Sequence, residues 1–142
     1  MNNSQSHLSA LLRTTQHGLV EIRSLLDTVM QPQLRCALEN QLQEYESIEA
    51  EALTIALQRG WDLREMDPVQ CFLRDRRTRM KLSGRNTDSR IADILIQMNT
   101  KGMIRALQER NRFPEKDPQI QILSQKLLDC ETANIRQMQL YL

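Results

Sequence analysis

The feature that most constrains this chain is where its helix-breaking residues fall. It has only four prolines and four glycines in 142 residues. Most of them stand between long stretches in which apolar residues recur at three- and four-residue steps. Pro32 follows Gln31 and suits the first position of a new helix, where its missing N–H costs nothing. Gly60 is a C-terminal stop. Asp67-Pro68 and Asp117-Pro118 each pair a capping Asp with a first-turn Pro. Such punctuation predicts a few long helices. With aromatics at only 4% and Leu, Gln, Arg, Glu, Ala and Met plentiful, the chain lacks the Val, Ile, Thr, Tyr and Phe that a sheet would want.

The first helix is expected from about Ser4 to Met30, with Leu8, Leu11, Leu12, Thr15, Leu19, Ile22, Leu26 and Val29 on one stripe. The second runs from Pro32 to about Arg59, its stripe formed by Leu34, Leu38, Gln41, Tyr45, Ile48, Ala52, Ile55 and Ala56. A connector covers Trp61 to Asn86. It holds a short helix that starts at Asp67-Pro68, ends at Ser83-Gly84, and is expected to bury Val69, Phe72, Leu73 and Met80. The third helix runs from near Thr87 to about Arg110. Ile91, Ile94, Leu95 and Met98 share one stripe, but Met103, Ile104 and Leu107 sit on another, which predicts a bulge or kink near Gly102. After a loop from Asn111 to Lys116, the fourth helix carries Ile120, Leu123, Leu127, Glu131, Asn134, Met138 and Tyr141.

Loop lengths suggest topology. The first two helices are joined by almost nothing and the last two by a short loop, so each pair should form a hairpin. The second helix, at about 28 residues, is roughly 42 Å long, and the connector is long enough to cross that distance. The expected fold is therefore one all-α domain, an antiparallel four-helix bundle with a long helical crossover between its second and third helices. The two hairpins also echo one another. Gly18 and Gly102 stand within the first arms, and the second arms open Pro32-Gln33-Leu34 and Pro118-Gln119-Ile120.

The stretch QPQLRCALENQLQEYESIEAEALTIALQRGW, Gln31 to Trp61, opens on proline and closes on "RGW". Together with the Thr100-Lys101-Gly102-Met103 turn and the last helix, it resembles the ferritin-like superfamily. It is similar to the small uncharacterised spore-coat F-type ferritin-like proteins of spore-forming bacteria. The resemblance covers most of the chain, but its motifs are bundle patterns and not a catalytic signature. Di-iron members of that superfamily use Glu on the first and third helices and Glu-x-x-His on the second and fourth. Here the fourth helix offers Glu131-x-x-Asn134, and counting from the matching prolines the second offers Tyr45-x-x-Ile48. That set cannot hold two metal ions, so no cofactor is expected. In its place Tyr45, Asn99, Glu131 and Asn134 should form a polar cluster in the core, with Arg105 a candidate partner for Glu131 and His17 turned away from the stripe. The alternative is a degenerate site holding one metal or a small ligand.

Net charge is +1, so no global field favours nucleic acid or an anionic membrane. Locally, Arg74, Arg76, Arg77, Arg79, Lys81 and Arg85 face only Asp75. They are expected to be solvated and paired with the acidic face of the second helix. Binding of phosphates or of an acidic partner is the alternative. Cys36, Cys71 and Cys130 are widely spaced and read as reduced thiols. The polar opening MNNSQSH predicts no secretory signal, no apolar run suits a membrane span, and a cytoplasmic location is expected. Spare apolar positions, Val20, Leu25, Ile104 and Leu107, suggest a homo-oligomer or a protein partner.

Overall fold

The computed structural model describes residues 2–82, 88–113 and 117–142. These residues are all-helical: α1 (Asn3–Leu26), α2 (Pro32–Arg59), α3 (Pro68–Lys81), α4 (Asp88–Arg112), α5 (Pro118–Met138) and a closing 3₁₀ turn (Gln139–Tyr141). None is long and apolar enough to cross a membrane. The expected end of the connector helix at Ser83-Gly84, the start of the next at Thr87, and Arg85 lie outside the described residues.

The breakers act as read. Asn2 caps α1 through the Gln5 N–H, and Asp117 caps α5 through the N–H groups of Gln119 and Ile120. Asp67 and Gln70 form a reciprocal capping box on α3. Gly60 takes the left-handed conformation (φ 67°) that closes α2, and Trp61 N–H bonds back to the Ala56 carbonyl at 2.9 Å. The α1–α2 turn begins at Asp27, earlier than Met30. Arg35 binds the Val29 carbonyl there, and Asp88 accepts from the N–H groups of Met30 and Gln31. At the other end Arg59 pairs with Asp117 and lies over the Trp61 ring, tying the end of α2 to the start of α5.

α1 packs on α2 and α4 packs on α5, with further contacts between α1 and α4 and between α2 and α5. The predicted stripes of α2 and α5 are buried as far as Met138, and α1 matches except for a partly exposed Leu26. α4 runs as one α-helix through Gly102, where a bulge or kink was expected. Its two stripes need not merge, because the second is left outward: Ile104 and Leu107 are exposed and Met103 is half-buried. Of the other spare positions, Leu25 is fully buried and Val20 half-buried.

The largest departure is in the connector. Val69, Phe72, Leu73 and Met80, the expected buried face of α3, are 66%, 61%, 56% and 71% exposed. The helix turns its polar side inward instead, onto α1. The cause lies in α1, whose second face is a stripe of polar residues. Ser9 Oγ accepts from the Arg64 N–H and Gln16 Oε1 from the Met66 N–H, docking the extended run before α3. Glu21 then pairs with Arg74 at 2.7 Å, Ser24 bonds Asp75, and Asp27 lies 3.6 Å from Arg79. An apolar face set against that stripe would leave the Glu21 carboxylate buried without its partner, at a cost of a few kcal/mol. Arg74 and Arg79 therefore pair with acids of α1 and of α3 itself, not with the acidic face of α2 as expected.

Candidate functional site

The centre of the molecule is polar. Tyr45 on α2, Asn99 on α4, and Glu131 and Asn134 on α5 are all buried. The Tyr45 hydroxyl lies within hydrogen-bond reach of Glu131 Oε1 and 3.0 Å from Asn99 Oδ1. Asn134 shares the burial but not the bonds: its Nδ2 donates to Cys130 Sγ at 3.4 Å, one turn back on the same helix. The Cys130 thiol in turn donates to Glu44 Oε2 at 2.9 Å, and burial pushes its pKa well above the usual thiol range. Three of the four expected residues thus form one network, and the fourth stands beside it.

Two glycines make this geometry possible. A Cβ at Gly18 would stand 3.2 Å from the Tyr45 ring, and one at Gly102 would stand 3.0 Å from Glu131 Oε1. Each first arm therefore carries a flat socket, and each second arm sends a side chain into it from the thirteenth position after its proline (Pro32 to Tyr45, Pro118 to Glu131). The repeated Gly and Pro-Gln signals mark this arrangement.

Burial raises the Glu131 pKa from 4.5 to about 8, with Glu21 and Glu44 adding to the rise and the bond from Tyr45 opposing it. The carboxyl is therefore neutral near pH 7. That state also resolves the donor count. A phenol has one proton and cannot donate to both Glu131 and Asn99. A protonated Glu131 donates to the Tyr45 oxygen, and Tyr45 donates to Asn99 Oδ1. Glu131 Oε2 and Asn99 Nδ2 remain buried without a partner. Glu131 lines a cavity of about 30 Å³ between α1, α3 and α4, together with Gly18, Tyr45 and Gly102. That volume is enough for about one water molecule.

Arg105 does not reach Glu131 as expected. It donates to His17 Nδ1 at 2.8 Å, which places the imidazole proton on Nε2. Burial, then the charges of Arg74, Arg105 and Arg13, lower the His17 pKa to about 4. His17 does point away from the apolar stripe of α1, as read, and stands half-buried, bonded to Arg105 of α4 and lining a cleft with Arg74 of α3. The polar second stripe of α1, running through Ser9, Gln16, Glu21 and Ser24, was the signal that this face is covered.

These residues do not suit a di-metal centre. The four buried residues supply no imidazole and a single carboxyl, Glu131, which keeps its proton. Among the described residues no group of three His, Cys, Asp or Glu side chains is placed to hold a metal ion. Arg74, Lys101 and Arg105 around the same cavity would repel a cation. Compared with protein-family models, with curated proteins and with solved structures, the chain finds no match.

Proposed function

We propose that this protein is an antiparallel four-helix bundle of ferritin-like type whose centre carries a proton-sharing network in place of metal, and that it works by assembly, first with a second copy of itself. The bundle would consist of α1, α2, α4 and α5, with α3 as the crossover strapped across α1. The packing of α1 on α2 and of α4 on α5, and the long link between the two pairs, support this reading.

The observation that carries the assembly is the outward apolar face of α3. Val69, Phe72, Leu73 and Met80 recur at helical spacing and are all more than half exposed, with Arg76 against the Phe72 ring. A helix with its polar side inward and such a stripe outward offers a self-complementary surface to a twofold partner. Burying four such side chains from each copy is worth on the order of 10 kcal/mol gross. Association itself costs roughly 4–15 kcal/mol. The expected dimer is therefore weak, and sedimentation equilibrium should run up to about 1 mM, where 4 kcal/mol of net affinity suffices. Wild type should show a reversible monomer–dimer equilibrium, and the double substitution Phe72→Glu, Leu73→Glu should remain monomeric with an unchanged helical circular dichroism spectrum. A wild type that stays monomeric over the whole range overturns the proposal.

A further inference from the structure

The small central cavity does not end at Arg105. His17 and Arg74 line it and also line a wider cleft of about 240 Å³ between α1 and α3, with Arg13, Gln70 and Arg77 on its walls. The charges around this cleft are unbalanced. Arg74 is matched by Glu21. Among the described residues Arg13 and Arg77 have no carboxylate partner, and Glu65, beside Met66 in the connector, is bonded to the Gln16 amide. The lining itself holds three guanidinium groups and no carboxylate, with Glu21 and Glu65 as flanking acids, so the walls keep an excess of positive charge. Further in, Lys101 and Arg105 add positive charge, while Tyr45 and the protonated Glu131 add none. Among the described residues no salt bridge uses Arg13 or Arg77, and both line this one cleft.

We propose that this cleft binds a phosphomonoester, with Arg13, Arg74 and Arg77 holding the dianionic phosphate and the Gln70 amide beside them. A dianion matches the excess charge of the walls. Guanidinium groups suit its oxygens because their paired N–H donors meet two oxygens at once. His17 sits at the floor of the cleft as a neutral imidazole, with Nε2–H free to donate while Nδ1 accepts from Arg105. The site is distinct from the outward face of α3, though Leu73 stands at the border of both. Its test therefore does not depend on dimerisation.

Two measurements on the full chain test it. Calorimetric titration with glycerol phosphate, above the second ionisation of the phosphate at about pH 6, should show saturable binding. R13A and R77A should each weaken it about tenfold or more. R136A, on the far end of α5, should leave it unchanged. Inorganic phosphate should bind to the same residues if the site reads the phosphate alone, and more weakly than glycerol phosphate if it also reads the carrier. The second measurement follows the His17 imidazole by NMR. Burial, the largest cause of the low His17 pKa, would remain, but sulfate, a dianion throughout the acid range, should offset the charges of Arg74 and Arg13 and so raise that pKa from about 4. Chloride at equal ionic strength should move it far less. An imidazole titration unaffected by sulfate, or phosphate binding that survives R13A and R77A, overturns the proposal. So does binding lost only on replacing Arg76 and Arg79, which would place the anion on the exposed side of α3, as expected for a nucleic-acid strand.

Discussion

Glu131→Gln isolates the central proton. In the folded protein the carboxyl ionises only at about 8, whereas in the unfolded chain it ionises near 4.5. Between those values folding takes up a proton, so raising the pH favours the unfolded chain. The contribution is fully present below about 4.5 and lost by about 8, falling at about 1.4 kcal/mol per pH unit. Over the whole interval this amounts to about 5 kcal/mol, an upper figure because a cavity that admits water softens the penalty of ionising. The glutamine in E131Q never ionises, and its amide can still bond the Tyr45 oxygen. The assay is urea unfolding of both proteins from about pH 5 to about pH 8, followed by circular dichroism. The difference between the two is the quantity that matters. His17 contributes in the opposite sense: its pKa is depressed to about 4, so stability falls as pH drops from 6.5 toward 4, equally in both proteins. Near pH 5 the two should lie within about 1 kcal/mol, and by pH 8 E131Q should have gained roughly 4 kcal/mol on wild type. A difference that does not change with pH would refute the neutral carboxyl, and with it the donor order from Glu131 through Tyr45 to Asn99.

Two further substitutions probe the same interior. Gly102→Ala should gain about 1 kcal/mol in helix propensity yet lose more. Its Cβ would press at 3.0 Å on a carboxyl already held by Tyr45, for a net loss of about 1–2 kcal/mol in urea unfolding. A variant as stable as wild type would mean that Glu131 can withdraw freely. Gln41 is fully buried with neither amide atom bonded, so Gln41→Leu should raise stability by about 1–3 kcal/mol. A fall in the urea midpoint would show that enclosed water satisfies the amide.

The helices and most of the core were legible because periodicity and caps are local properties. Tyr45 and Glu131 could be placed opposite one another by counting from Pro32 and Pro118, since a helix turns that count into a direction. The role of Gly18 and Gly102 could not be read so directly. A glycine in mid-helix marks close approach or a kink, and only the neighbour decides which. The orientation of α3 is not legible in its own sequence for a similar reason. Val69, Phe72, Leu73 and Met80 form a true apolar stripe, but whether a stripe is buried depends on the surface that receives it. The surface on α1, with Glu21 and Ser24, is polar. The surroundings of His17, and the choice of Arg105 between His17 and Glu131, are likewise set by residues remote in sequence. Arg105 bonds His17, 88 residues earlier in the chain, and His17 lines a cleft with Arg74 of α3.

The matched sockets at Gly18 and Gly102 hold unlike side chains, a phenol in one and a carboxyl in the other. Two copies of a single hairpin facing each other would set like against like at that level. Paired phenols would lack a fixed acceptor, and paired carboxyls would have to share a proton or repel. A helix pair α1–α2 therefore gains its central bond only from an α4–α5 pair, and the reverse holds as well. The network at Tyr45 and Glu131 thus favours pairing of the two different hairpins over pairing of like with like.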